Sequence, residues 1–178
     1  VYECLCSSSA SCGITSLSEQ TMKLYRMTNG APDASCSAHY GKWGAWRCYH
    51  AQYAALHIDH NTSVLINQMQ TDEWQAFWNG FTQWKTLPEE AAYAAWFRNT
   101  TVASFVTALD AMGAVGAENL YFFSPNCVIH TFATSPTWWT ISVDNITSRD
   151  ALGALVNKQP LPHRIIDDCV GLECSKGC

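Results

Sequence analysis

Nine cysteines in 178 residues constrain this chain more than any other feature. Each pair that joins removes conformations from the unfolded state and fixes a loop in the folded one. They stand at 4, 6, 12, 36, 48, 127, 169, 174 and 178. Zinc-ribbon spacing needs paired Cys-x-x-Cys units, and none is present: Cys4-Leu5-Cys6 is too short, and the tail cysteines are separated by four and three residues. Three N-glycosylation sequons accompany the cysteines, at Asn61-Thr62-Ser63, Asn99-Thr100-Thr101 and Asn145-Ile146-Thr147. Sequons and cysteines together point to an oxidising, secreted or luminal setting. The odd ninth cysteine needs a partner outside this chain or is a free thiol, and the connectivity of the others stays open.

Net charge is −5 with 14 % charged residues and no basic run, which argues against binding a phosphate backbone. Eight Trp, seven Tyr and seven Phe argue against disorder and for one domain with a sizeable core. No apolar run approaches the roughly 20 residues that a bilayer helix needs. Val1 opens on VYECLC, without a charged start or an apolar stretch. The expectation is a mature, processed amino terminus, or the later part of a longer precursor.

Ser16 to Met27 reads as a helix, with a capping box at Ser16-Leu17-Ser18-Glu19 and a stop at Asn29-Gly30. Ala34 to Trp46, rich in Gly, Ser and Trp, reads as a loop held by a Cys36–Cys48 disulfide. The apolar run Ser63 to Gln68 reads as a buried strand leading into Thr71-Asp72-Glu73. A long helical zone begins at Pro88, where proline and Glu89-Glu90 suit a first turn, and ends near Gly113 and Gly116. Asn119 to Ser124 is a second strand, Trp139 to Val143 a third or an extended edge, and Asp167 to Cys178 a cysteine-stapled loop. This order predicts an α/β unit whose polar residues sit beyond the carboxyl ends of parallel strands. Two or three strands make a thin sheet, so the chain reads as a single partial domain, residues 1–178.

Asp72 and His130 both follow predicted buried strands. Acid before base is the order in which an α/β hydrolase displays the two partners of its nucleophile. The imidazole takes the nucleophile's proton, and the carboxylate holds the ring's tautomer and stabilises the imidazolium. Against this stands the plainer reading of His130 as a packed histidine in the apolar run YFFSPNCVIHTF. No serine in the chain lies in a Gly-x-Ser-x-Gly elbow, and disulfides leave too few cysteines for a catalytic thiol. His57-Ile58-Asp59-His60 lies beside a sequon and reads as an exposed turn. His39, His50 and His163 show no partner pattern. Glu73 reads as a solvated or capping charge. No metal or cofactor is expected.

Several motifs, in order, join these pieces: Cys6-x5-Cys12, Cys36-x11-Cys48, INQMQTDEWQ over 66–75, FFSPNCVIH over 122–130, WWTISV over 138–143, and Cys169-x4-Cys174-x3-Cys178. In this arrangement the chain resembles the carboxyl-terminal half of the Notum/pectin acetylesterase family, extracellular serine carboxylesterases of α/β-hydrolase type. The resemblance implies that Asp72 is the triad acid, His130 the base, and Cys6, Cys12, Cys36, Cys48, Cys127, Cys169, Cys174 and Cys178 the disulfide cysteines. It also implies a disulfide-stapled part of an α/β-hydrolase fold whose sheet is completed by an amino-terminal chain. That chain would carry the serine elbow and oxyanion loop, with Cys4, outside the matched pattern, as a possible interchain link. Implied substrates are acetylated polysaccharides or acylated proteins. Two alternatives remain at this level. One is a non-catalytic secreted glycoprotein derived from that fold. The other is a free-standing disulfide-rich effector, which predicts no α/β sheet.

Overall fold

A computed structural model describes residues 17–59, 61–73, 83, 85–114, 119–130 and 136–178. At its centre is a three-stranded sheet of β1 (Val64–Asn67), β2 (Leu120–Ser124) and β5 (Arg164–Ile166), in the spatial order β1-β2-β5. Both pairings are parallel, with Val64 opposite Leu120 and Phe122 opposite Arg164. A parallel sheet buries both of its faces, and β2 reads accordingly. Phe122, Phe123 and Ser124 have no exposure, and only Tyr121 is half-buried.

The two faces of β2 supply two cores. On one, Leu120 and Phe122 meet Phe105, Ala108, Leu109 and Met112 of α4 (Pro88–Ala114), which connects β1 to β2. Phe105 and Phe122 stack with centroids 4.7 Å apart. On the other face, Phe123 and Ile165 pack with Met69, Cys127, Ile141, Val143 and Ala151. These come from the strand ends, from the antiparallel pair β3 (Ser142–Val143) and β4 (Ile146–Thr147), and from α5 (Ser148–Val156). Asp144 and Asn145 turn that pair with φ of 51° and 63°, a conformation Asp and Asn tolerate better than other side chains.

The predicted first helix is α1 (Leu17–Thr28), ended by Asn29 at φ 48°. The second segment corrects the sequence reading: 34–46 is helical, not a loop. Its elements are α2 (Ala34–Gly44) and a 3-10 turn, Ala45–Tyr49. Asp33 caps α2, accepting the Cys36 amide at 2.9 Å, and Gly41 at φ 66° kinks the helix rather than ending it. The expected Cys36–Cys48 disulfide is present and closes this helical turn. A short α3 (Ala51–Ala54) and the 3-10 turn Ala55–His57 lead to β1. Trp139–Val143 is strand only at its end, because Pro136–Trp139 forms a 3-10 turn closed by Thr140 N–H donating to Thr137 O. The sequence reading missed α5 and β5. Thr147-x-x-Asp150, a reciprocal capping box, was the available signal for α5. The parallel sheet excludes the free-standing effector, which predicted none. Among the described residues no helix is long and apolar enough to cross a membrane.

Candidate active site

Beyond their last paired residues, β1 and β2 keep running side by side. Gln68 N–H donates to Phe123 O at 3.0 Å, Gln70 N–H to Pro125 O at 3.1 Å, and Thr71 bridges Val128 in parallel. From Asn67 to Thr71 is four steps, whereas from Phe123 to Val128 is five. One extra residue therefore sits on the β2 side, a bulge that re-aims the residues beyond it. Asp72 and His130 emerge from the two arms just past this point.

The two side chains meet. His130 Nδ1 lies 2.9 Å from Asp72 Oδ2, with 39 % and 23 % of the side chains exposed. An ionised carboxylate can only accept, so Nδ1 carries the proton. In the neutral ring the basic lone pair is then on Nε2, the tautomer that a general base needs. The packed-histidine reading of His130 does not hold, since its ring is exposed and paired with a carboxylate.

Behind the pair lies a buried polar corner that sequence reasoning missed. Gln70, fully buried, donates from Nε2 to Ser124 O at 3.0 Å and to Asp167 O at 2.6 Å. Its Oε1 accepts from Arg98 Nε of α4 at 2.7 Å. Arg98 also donates from Nη2 to Cys169 O at 2.9 Å and from Nη1 to Gly171 O at 3.4 Å. Asn126, fully buried on the other arm, donates from Nδ2 to Gly171 O at 2.7 Å and to Cys169 O at 3.4 Å. Its backbone N–H donates to Ser175 Oγ at 2.6 Å, and the Ser175 hydroxyl donates to Asp167. Disulfides Cys127–Cys178 and Cys169–Cys174 staple the same corner. A signal did exist for Asn126, an amide inside the largely apolar stretch 120–129, since a buried amide must be paired; Gln70 stands among polar neighbours and gave none.

The remaining candidates fall elsewhere. Asn61, Asn99 and Asn145 are exposed, in a turn, on α4 and in the β3–β4 turn. Cys4, Cys6, Cys12 and His60 lie outside the described residues. His57 packs its ring against His39, centroids 5.0 Å apart, and His163 stacks on Tyr121 while its Nδ1 meets Leu120 O at 2.9 Å. Glu73 is exposed. Among the described residues no cluster of three or more His, Cys, Asp or Glu could hold a metal.

Parallel strands carrying an acid and a histidine at neighbouring carboxyl ends, with a helix on either face, are part of an α/β-hydrolase fold. Solved structures bear this out. The chain is similar to the Wnt deacylase Notum from Drosophila in two crystal forms. One matches at TM-score 0.71 and 18 % identity over 90 % of this chain and 42 % of that one. The other matches at 0.70 and 19 % over 95 % and 45 %. The chain thus spans less than half the length of the Notum chains it matches. No protein-family model and no curated protein matches it.

Proposed function

We propose that this chain is the acid-and-base part of a secreted serine carboxylesterase of the Notum/pectin acetylesterase family. The observation that carries the reading is the 2.9 Å contact between Asp72 and His130 at the ends of adjacent parallel strands. In the assembled enzyme His130 Nε2 takes the proton of a serine supplied by an amino-terminal chain of the same precursor. The serine oxygen attacks the ester carbonyl, and the tetrahedral intermediate collapses as His130 returns the proton to the leaving alcohol. Water then enters by the same route and hydrolyses the acyl-serine. Asp72 keeps the ring oriented and stabilises the imidazolium throughout. The free edge of β1 supports the split arrangement. Its four residues are only half-buried and, among the described residues, it pairs on one side alone, whereas a parallel sheet is ordinarily covered and extended. Acetylated polysaccharide or acylated protein is the substrate class. Glycans at Asn61, Asn99 and Asn145 and a link through Cys4 belong to the same secreted setting.

Treating native material with a fluorophosphonate tests this. A serine adduct on a co-purifying chain, released or retained with this one on a non-reducing gel, is expected. A natively folded chain that travels alone and co-purifies with no labelled serine would instead favour a second reading, a non-catalytic secreted glycoprotein on the same fold.

A further inference from the structure

The two arms that present Asp72 and His130 are gripped by one and the same piece of backbone. Arg98, reaching from α4 behind the Asp72 arm, and Asn126, on the His130 arm, both donate to the carbonyls of Cys169 and Gly171. Gln70 joins them, bonded to Arg98 on one side and to Asp167 O on the other. The Cys169 and Gly171 carbonyls belong to a loop of the tail that the Cys169–Cys174 disulfide closes, and Asp167 stands two residues before it; Asn126 Nδ2 is 2.7 Å from Cys174 Sγ. Gln70 precedes Asp72 by two residues and Asn126 precedes His130 by four. Between each anchor and its site residue the backbone is pinned by the Thr71–Val128 bridge. A displacement of the loop would therefore pass into both arms at once.

We propose that Arg98, Gln70 and Asn126 are positioning residues, which use the disulfide-closed loop at Cys169–Cys174 as a common clamp to set the Asp72–His130 contact. The inference rests on the catalytic reading of that pair but concerns different atoms. Apolar packing alone would place the two strands without fixing the last ångström between a carboxylate and a ring. Directional bonds from a planar guanidinium and two buried amides can do so. A clamp built on a closed loop has little freedom of its own, which is what a support for a site needs.

The tautomer of His130 reads the contact without requiring the serine. In the native material, with this chain labelled with 15N-histidine, long-range 1H–15N correlations distinguish Nδ1–H from Nε2–H. The unaltered chain is expected to show His130 as Nδ1–H. In Arg98→Met the ratio of Nδ1–H to Nε2–H at His130 should fall roughly tenfold, the scale of one lost charge-assisted hydrogen bond. His163, whose Nδ1 faces the Leu120 carbonyl, is the internal control and should stay Nδ1–H. If Arg98→Met loses the His163 signature, the fold has been damaged, and the double change Cys169→Ser and Cys174→Ser replaces it. This opens the clamp while sparing every anchor side chain, and the same fall is expected. Arg98→Lys, which can reach Gln70 Oε1 but not also both backbone carbonyls as a fork, should recover part of the ratio. An unchanged His130 ratio in a variant that keeps the His163 signature overturns the inference and leaves the catalytic pair standing. Absence of the Nδ1–H form in the unaltered chain overturns both.

Discussion

Residues 17–59 and the corner behind Asp72 are each closed by a disulfide, yet they are held by different means. In the first, rings meet rings: Tyr40 lies against Tyr53 and His57, Trp46 against His50, and Tyr25 against Tyr49. Arg47 sits over Tyr40 and Trp46, and the Cys36–Cys48 disulfide closes the unit. In the second, amides and a guanidinium bond to named carbonyls, with Gln70, Asn126 and Ser175 buried. Ring packing tolerates several tilts at similar energy, so it suits a scaffold. Directional hydrogen bonds at a buried site tolerate few, because a donor left unmatched there costs about 1–3 kcal/mol. The corner spends that specificity where two side chains must meet.

The largest expected effect breaks the corner at its tip. Under the proposed esterase function, Asp72→Asn in the assembled protein should lower kcat about 10⁴-fold while leaving the fold intact, as loss of the orienting carboxylate does in a serine triad. Steady-state ester hydrolysis, with circular dichroism as the fold control, measures it. Next comes the scaffold. Changing Cys36 and Cys48 to Ala should cost about 3 kcal/mol in chemical denaturation, as expected for a closed loop of this size. The His130 tautomer should be unaffected. Equal loss of both would show that the two regions are one cooperative unit.

A smaller effect probes α5, which flanks the strand ends. Thr147 accepts the Asp150 amide and donates to its carboxylate, so Thr147→Ala should cost about 1 kcal/mol, visible as a lowered denaturation midpoint. The smallest distinguishes the regions by pH. Burial lowers the pKa of His50 below its ordinary 6.5, so the unfolded chain takes up the proton first. Stability should therefore fall as pH drops through 6.5 toward the folded value, and His50→Gln should flatten that slope in melting curves. A slope unchanged by this substitution would place the titration elsewhere.

Much of the scaffold was legible because it rests on local rules. The helix at 17–28 announced its stop at Asn29-Gly30, the helix from Pro88 announced its start, and the runs at 64–67 and 120–124 were apolar enough to be strands. Alternation over 139–143 misled in part, since a proline-led 3-10 turn ends at Trp139 and only Ser142 and Val143 are strand. The glycines and serines of 34–46 suggested a loop, yet an Asp33 cap and a disulfide made a kinked helix of them. Three-residue β5 carries too little pattern to be read alone and exists because β2 offers it an edge.

By itself the sequence determined which residues could act, an Asp and a His following two apolar strands, and that cysteines would staple the chain. Those facts are local: composition and spacing carry them. Only the tertiary structure decided that Asp72 and His130 touch, 58 residues apart in sequence, and that the tail grips both arms through Gln70, Arg98 and Asn126. Strand pairing, a one-residue slip in register and hydrogen bonds between distant carbonyls and amides set those contacts. None of them has a signature in neighbouring residues, because each exists only once the chain has folded back on itself.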